Sequence, residues 1–377
     1  MDSEFPLDEA LIYLNHAGVG PWPVRTAQAV SAFAAVNARR GAAEYPEWLH
    51  EEQRLREQLA RLVGTPDPED IALVKNTSEG LSLVAHGLLW RPGDNVVIND
   101  LEFPSNRMVW ESLAERYGVE IRDVSLENAD DPEGTLIAAM DERTRVLPVS
   151  AVQYGNGLRM DLARLGEACN ELGVLYCVDA IQILGALPFD AEAIGADFVI
   201  ADGHKWMLGP EGIGVFYARP AAREALALHQ YGWHMAEALG DFDRKDWEPA
   251  SSARRFEAGS PNMLGIHALA ASLSLFEEIG MHEVGRGVMT NAATLLERID
   301  AEPSLTPVTP REDERHAGIV TFRVADADPE HLLARLRAAD IPCAARAGGI
   351  RFSPHFYNTT EQLQRAMDKT LALAGQD

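Results

Sequence analysis

The sequence has few cysteines, few basic residues and no long apolar run. Its cysteines, Cys169, Cys177 and Cys343, show neither the spacing of a metal site nor a disulfide framework. Lysine and arginine number 33 against 58 acidic residues, a formal net charge of −25, which argues against nucleic acid or an anionic membrane as a partner. No apolar run approaches the roughly 20 residues of a membrane-spanning helix, and the first residues lack the regions of a signal peptide. We therefore expect a cytoplasmic protein in a reducing compartment, with no metal and no membrane partner.

Three short apolar runs, at 174–178, 197–201 and 214–217, predict neighbouring buried strands. Asp179 directly follows the first run, and Lys205 lies shortly after the second. Ligands of open α/β sheets bind outside the carboxyl ends of the strands, so both side chains are predicted to lie at the ligand-binding edge of the sheet. A lysine shielded from water loses its proton easily and can attack a carbonyl. Pyridoxal phosphate (PLP) is an aldehyde held in this way, and its ring nitrogen needs a carboxylate partner.

Four motifs support this interpretation, and they occur in the order and spacing of one known group. They are residues 178–182 (VDAIQ), 203–205 (GHK), 256–262 (FEAGSPN) and 351–353 (RFS), the last followed by 357–359 (YNT). From about Tyr13 to Asn358 the chain resembles the fold-type I PLP enzymes, in the class V aminotransferase and cysteine desulfurase group, with an isopenicillin N epimerase-like branch. This resemblance implies an α/β fold: a large domain with a mostly parallel seven-stranded sheet between helices, and a smaller α+β domain. We place an N-terminal arm at 1–22, the large domain at 23–260 and the small domain at 261–377.

The resemblance assigns roles at the cofactor. Lys205 would form the Schiff base and move the α-proton, while Asp179 would keep the ring nitrogen protonated. The other implied cofactor contacts are Thr77 and Ser78 at the phosphate, Phe103 on the ring, Gln153 and Gln182 at the phenolic oxygen, His204 near the phosphate, and Ser260 at the phosphate of a second subunit. Thr77 and Ser78 also begin a helix, where hydroxyls often act only as caps and where N–H groups can bind an anion.

Two residues are implied at the substrate. The planar guanidinium of Arg351 matches an α-carboxylate. His16 lies on the arm that borders the active site in the family, although this arm could equally well only pack on the large domain. Asp202 departs from the desulfurase pattern, which has serine there, because an ionised carboxylate cannot donate to a phosphate. The irregular segment around His229, Trp233 and His234 is expected to line a pocket or to form a surface loop.

The sequence predicts a PLP-dependent homodimer that acts at the amino-bearing carbon of a small amino acid, in the first place an aminotransferase of class V type. A C–S lyase or desulfurase and an amino-acid epimerase of the same fold are the alternatives, and a non-catalytic PLP-binding module is a remote one. Two observations argue against a desulfurase: Phe103 stands where desulfurases have histidine, and Cys343 has a strand-like context typical of a core cysteine. A dinucleotide-dependent oxidoreductase is disfavoured because no glycine fingerprint follows an early strand.

Overall fold

The computed structural model describes residues 3–375, which form two sheets and the helices packed on them. The helices are α1 (Val24–Arg40), α2 (Tyr45–Val63), α3 (Thr77–Gly87), α4 (Ser105–Tyr117), α5 (Pro132–Ala139), α6 (Leu162–Leu172), α7 (Pro220–Glu224), α8 (Met263–Ile279), α9 (Met281–Asp300), α10 (Pro329–Ala338) and α11 (Thr360–Ala374). The strands are β1 (Ile71–Val74), β2 (Asn95–Asn99), β3 (Glu120–Val124), β4 (Thr144–Ser150), β5 (Leu175–Asp179), β6 (Phe198–Asp202), β7 (Gly214–Ala218), β8 (Leu305–Pro307), β9 (Val320–Val324), β10 (Ala344–Arg346) and β11 (Gly349–Phe352).

The larger sheet has seven strands in the order β1-β7-β6-β5-β4-β2-β3. Strands β2 to β6 pair in parallel, and β7 runs antiparallel to both of its neighbours, β6 and β1. The apolar strands are buried on both faces, one hydrophobic cluster lying on each side of the sheet. The predicted mostly parallel seven-stranded sheet between helices is confirmed.

Capping residues set where helices on the larger sheet begin and end, as both ends of α6 show. The carboxylate of Asp161 accepts from the backbone N–H of Arg164 at the start of α6, and Gly173 ends the helix in the left-handed region with φ 67°. Glycine adopts that conformation without a steric penalty. The chain then enters β5, whose carboxyl end lies beside that of β4, with Ser150 opposite Asp179.

The smaller sheet is antiparallel, in the order β10-β11-β9-β8. Its apolar face packs on α9, α10 and α11 in a third cluster that also contains Ile12 and Leu14 from the N-terminal arm. Helix α8 packs against α1 and α2, and its apolar residues belong to the first cluster of the larger sheet. The domain limits at 22 and 260 stay a prediction.

Within residues 3–375, no single helix has the length and hydrophobicity to cross a membrane. The consecutive helices α8 and α9, which are bent by 87° where they meet, satisfy those two criteria only when taken together.

A buried ion-pair cluster holds the 256–262 motif against α2. Arg56 donates to Glu52 at 2.6 Å and to both oxygens of Glu257 at 2.6 and 2.8 Å. Glu257 also accepts from the backbone N–H of Leu73 in β1 at 2.7 Å. All three charged side chains are buried, so each carboxylate depends on the arginine for its compensation.

Replacing Arg56 by Met should lower the free energy of unfolding by about 3–5 kcal/mol, because two carboxylates then stay buried without their cation. Urea unfolding measures the loss. Arg61→Met is the matched control on the same helix, since the Arg61–Glu277 pair is exposed and should contribute less than about 1 kcal/mol. Equal losses in the two variants would contradict the importance of the buried cluster.

Candidate active site

The carboxyl ends of β4, β5 and β6 bring the predicted reactive residues together. Asp179 is the last residue of β5, and Lys205 follows the end of β6 by three residues. Strands β5 and β6 are adjacent and parallel, so both residues lie at one edge of the sheet, where α/β enzymes place their ligands.

Lys205 is buried, and within residues 3–375 its amine has no hydrogen bond or ion pair. Its Nζ lies 5.6 Å from the centre of the Phe103 ring. Burial lowers the pKa of Lys205, the negative charge of Asp179 opposes that effect, and the positive charge of Arg351 adds to it. A lowered pKa leaves more of the amine neutral near pH 7, which is the form that attacks an aldehyde or takes a proton.

Asp179 is also buried, with one carboxylate oxygen already bonded. Its Oδ1 accepts from the backbone N–H of Ile181 at 3.1 Å, which leaves Oδ2 for another donor. Burial raises the pKa of Asp179, the bond from Ile181 opposes this, and the charge of Glu102 raises the pKa further. A protonated ring nitrogen placed against Oδ2 would restore the charged form.

The N-termini of α3 and α4 meet on this side of the molecule. The Oγ of Ser78, in the first turn of α3, donates to the Oγ of Ser105, the first residue of α4, at 3.0 Å. Thr77 is buried, and its Oγ1 has no partner within the described chain. Asn76 caps α3 by accepting from the N–H of Glu79. At the predicted phosphate position, the unpaired Thr77 hydroxyl therefore lies with the N-termini of two helices, and helix N-termini attract anions.

Arg351 reaches this site from the smaller sheet. Its Nη1 donates to the carbonyl of Tyr154 at 2.7 Å and its Nη2 to Asn15 Oδ1 at 3.3 Å, while Nε is buried without a partner in the described chain. Burial lowers the pKa of Arg351 to about 10. The Tyr154 ring stands edge-on to the Phe103 ring, with 5.1 Å between the ring centres. Since Tyr154 contacts Arg351 and Phe103 lies near Lys205, these two rings connect the arginine with the surroundings of the lysine. A buried cation with a free N–H is suited to a carboxylate ligand.

The two predicted glutamines are placed differently. Gln153 donates from Nε2 to Glu102 at 3.0 Å, and its buried Oε1 has no partner in the described chain. Because an ionised carboxylate can only accept hydrogen bonds, the Gln153 amide directs its N–H₂ group to Glu102 and its carbonyl oxygen away from it. Gln182 donates to the carbonyl of Ala17 at 3.1 Å and accepts from the Trp206 indole at 2.9 Å. Both polar ends of Gln182 already have partners, so its predicted bond to the cofactor stays a prediction without support from this arrangement.

His204 Nδ1 and Asp202 Oδ1 lie 3.0 Å apart, but neither atom has a hydrogen-bond partner in the described chain. The acceptor role of Asp202 towards His204 therefore stays a prediction. His204 lies next to Lys205 in the chain, and its position near a phosphate stays a prediction.

His16 is fully buried between the arm and the smaller sheet. Its Nδ1 lies 2.8 Å from the carbonyl of Ser353 and its Nε2 lies 2.7 Å from the Tyr357 hydroxyl. Both ring nitrogens are therefore occupied, which favours a packing role for the arm. The residues that His16 contacts, Ser353 and Tyr357, follow β11 of the smaller sheet, whereas the alternative placed the arm on the large domain. The arm residue that contacts Arg351 is the neighbouring Asn15.

The remaining candidates lie outside this group of contacts. Ser260 is exposed, as a residue that meets a second subunit would be in a single chain. His234 is buried beside Glu52 and Glu257, 3.7 and 3.5 Å away, and Trp233 is 39% exposed. The segment that holds these two residues combines a buried anchor with a surface loop.

Sequence reasoning missed Glu102, which is the centre of the polar network behind the site. Its carboxylate is buried and accepts from Asn99 and Asn106 at 2.9 Å, from the Ser150 N–H at 2.8 Å, from the Ser150 hydroxyl and from Gln153. A glutamate just before Phe103 at a strand end was the available signal. Tyr154 and Ser105 were also missed, because their neighbours come from distant parts of the chain.

The residues present fit PLP. Among the buried atoms of the described chain that lack a hydrogen-bond partner are Thr77 Oγ1, Gln153 Oε1 and Arg351 Nε, together with Asp202 Oδ1 and His204 Nδ1, which lie close to Lys205 in the sequence. Phosphate, ring and substrate carboxylate require polar groups of this kind. The assignment of each residue to its contact remains a prediction.

Replacing Glu102 by Gln should lower the free energy of unfolding by about 1–3 kcal/mol, because the new amide turns an N–H₂ towards donors that the carboxylate accepted. Removing this charge should also lower the pKa of Asp179. Urea unfolding measures the stability. Glu115→Gln, at an exposed position of α4, is the control and should change it by less than about 0.5 kcal/mol. A Glu102→Gln protein as stable as the wild type would show that the network does not depend on the carboxylate.

Comparison with known proteins places this chain in a family. Residues 12–366 match the class V aminotransferase family. A probable cysteine desulfurase from Methanothermobacter thermautotrophicus is 30% identical, over 99% of this chain and 97% of that protein. The apo structure of the cysteine desulfurase from Thermococcus onnurineus NA1 has a TM-score of 0.87 at 25% identity, covering 99% of this chain and 97% of that one.

The cystine C–S lyase C-DES, solved in complex with cysteine persulfide, has a TM-score of 0.88 at 23% identity, covering 98% of this chain and 99% of that one, and shares the fold. The predicted fold, the PLP cofactor and the enzyme class are confirmed. The chain belongs to the class V aminotransferase family of fold-type I PLP-dependent enzymes.

Proposed function

We propose that this enzyme is a C–S lyase that breaks the Cβ–S bond of a small sulfur-containing amino acid without using a thiol of its own. The name of the relative from Methanothermobacter thermautotrophicus supports a sulfur amino acid as substrate. The carrying observation is the state of the cysteines: Cys169, Cys177 and Cys343 are all free and buried. Of the reactions that the sequence left open, this one replaces transamination as the first choice.

A desulfurase of the persulfide type needs an exposed thiolate near positive charge. Cys343 has no exposed surface, and burial raises the pKa of its thiol to about 12. It immediately precedes β10, and a hairpin turn at Ala347 and Gly348 connects β10 to β11 with positive φ at both residues. No long loop is present there to carry a thiol to the substrate, so the sulfur would have to leave with a product.

PLP, when bound, supplies an aldehyde for the substrate amine and an electron-withdrawing ring. Arg351 would bind the α-carboxylate and so orient the Cα–H bond towards Lys205. Lys205 would take the Cα proton; the electron pair of the C–H bond forms Cα=Cβ, and the Cβ–S bond breaks as the sulfur leaves with its electrons. The enamine released from the enzyme hydrolyses in water to pyruvate and ammonia, so no oxidant or reductant is required.

Three further residues would assist this chemistry. Asp179 would hold the ring nitrogen protonated, and the Phe103 ring, which is 41% exposed, would cover one face of the cofactor. Thr77 would donate to the phosphate at the start of α3.

Product analysis tests the proposal. Incubation with L-cystine or L-cysteine should release pyruvate and ammonia in equal amounts, without any 2-oxo acid. Cys343→Ala should keep most of this rate, because its buried thiol takes no part, whereas Lys205→Ala should abolish it. An amino-acid product that forms only with a 2-oxo acid would favour transamination. Sulfur bound to the protein and lost in Cys343→Ala would restore the desulfurase hypothesis.

We also propose a homodimer with shared active sites. Large apolar side chains of the segment between α7 and α8 are exposed in the single chain: Tyr231, Trp233, Leu239, Phe242 and Trp247. An apolar patch of this kind is typical of an interaction surface, and Ser260 lies exposed in the same segment. A cytoplasmic location is part of the proposal, since the three unpaired cysteines suit a reducing compartment.

Sedimentation equilibrium should give twice the mass of one chain, and Phe242→Asp should weaken the association because it buries a charge in the apolar contact. Glu115→Gln, at an exposed position of α4, is the control. A wild-type enzyme that is active at the mass of one chain would contradict the shared site.

A further inference from the structure

His234 is buried in the cluster of charged side chains around Arg56, and both of its ring nitrogens lack a hydrogen-bond partner in the described part of the chain. Its exposed fraction is 1%. Nε2 lies 3.7 Å from Oε1 of Glu52, and Nδ1 lies 3.5 Å from Oε2 of Glu257. A buried polar group without a partner costs free energy, so an additional partner for this ring is expected.

The two carboxylates that face the ring also have bonding positions left. Oε2 of Glu52 is buried and has no hydrogen-bond partner within residues 3–375. Oε2 of Glu257 accepts from Arg56 at 2.8 Å, which leaves it a second lone pair. Two carboxylates against the one guanidinium of Arg56 give these contacting side chains an excess of one negative charge. The expected partner is therefore a cation.

The spacing of the ring and the carboxylates suits a metal ion. A neutral imidazole has one N–H and one lone pair, so at least one of its two contacts directs a lone pair at a carboxylate oxygen, and a metal ion bound to both atoms would make that contact favourable. Two donor atoms on a tetrahedral zinc ion lie about 3.4 Å apart, close to the 3.7 and 3.5 Å between nitrogen and oxygen here. One donor atom from each of Glu52, His234 and Glu257 can be chosen so that all three lie within 4.8 Å of one another.

The surroundings support three ligands and leave room for a fourth. A cavity of about 200 Å³ borders the cluster and is lined in part by Glu52, Arg56, Ser252 and Arg254, so water can supply the open position of a zinc ion. Arg254 donates to the carbonyls of His234 and Ala236, the second at 2.8 Å, and thereby fixes the turn that presents the ring. The bonds from Arg56 orient both carboxylates, as outer partners of metal ligands do.

We propose that Glu52, His234 and Glu257 bind one Zn²⁺ ion, with water as its fourth ligand. Glu52 belongs to α2, whereas His234 and Glu257 belong to the segment between α7 and α8. The ion therefore fastens that segment to α2, a structural role that does not depend on the proposed C–S lyase function. The expectation of no metal came from the spacing of the cysteines, which carries no information about glutamate and histidine ligands from separate parts of the chain.

Zinc titration of the PLP-loaded, untagged enzyme tests the site. After removal of metals by a chelator, and of the chelator by dialysis, calorimetry in excess Mg²⁺ should show one Zn²⁺ bound per chain. Mg²⁺ occupies exposed carboxylates, whereas an imidazole ligand favours Zn²⁺. His234→Gln and Glu52→Gln should each weaken binding at least about hundredfold, because the loss of a residue that only supports a ligand already costs 10–100-fold.

His50→Gln is the matched control. His50 Nδ1 lies 3.7 Å from Oε2 of Glu47 on α2, and both side chains are exposed. This pair has the same spacing without the burial and without the third ligand, so its loss should leave the affinity for Zn²⁺ unchanged.

Thermal unfolding separates lost binding from lost folding. Zn²⁺ should raise the unfolding temperature of the wild type and of His50→Gln, since it binds the folded state, and should not raise that of His234→Gln. Far-UV circular dichroism of His234→Gln without metal should match that of the metal-free wild type. If His234→Gln does not fold, the same measurements on Glu52→Gln decide the site.

A wild type that binds no Zn²⁺ in excess Mg²⁺ would refute the metal site, and so would an affinity that stays the same in folded His234→Gln or Glu52→Gln. The unpaired nitrogens would then belong to a protonated imidazolium between two carboxylates.

Discussion

The site depends on the removal of opposite charges from water at adjacent strand ends. Asp179 ends β5 and Lys205 lies three residues beyond the end of β6, in a part of the sheet whose interior is apolar on both faces. Burial lowers the pKa of the lysine and raises that of the aspartate. Burying either charge without a partner would cost free energy. A cationic ring beside Asp179 and an aldehyde beside Lys205 can stabilise the two residues in this site. The parallel sheet is what allows two distant segments of chain to meet in this way.

Several polar groups around Lys205 and Asp179 keep a hydrogen-bonding position that no other residue of the described chain occupies. Glu102 gathers several donors on the far side and thereby orients Gln153, whose oxygen stays unpaired. Tyr154 and Asn15 take two of the guanidinium N–H groups of Arg351 and leave Nε. The network therefore fixes the direction of the side chains while keeping one bonding position of each open, which is how a preorganised site differs from a satisfied core.

The strands, the order of the helices and the meeting of Asp179 with Lys205 could be predicted from the sequence, because short apolar runs and the residues that end them are local signals. The surroundings of the other candidates could not. Gln182 and His16 occur at positions that suit cofactor or substrate, yet Trp206, Ala17, Ser353 and Tyr357 occupy their polar atoms. Glu102 was overlooked for the converse reason, since its partners come from two strands, a helix and the loop after β4, and a single glutamate in a sequence is most often a surface residue.

The contacts of the N-terminal arm have a consequence for biosynthesis. Asn15 and Arg351, whose side chains touch, are 336 residues apart, and His16 contacts Ser353 across 337. A ribosome releases the arm more than 300 residues before its partners, so the arm emerges without the surface it covers. The large sheet can assemble while the chain is still growing, but the pocket for a carboxylate closes only after nearly the whole chain has been made. A truncated translation product would therefore contain the lysine and the aspartate without the means to hold a substrate.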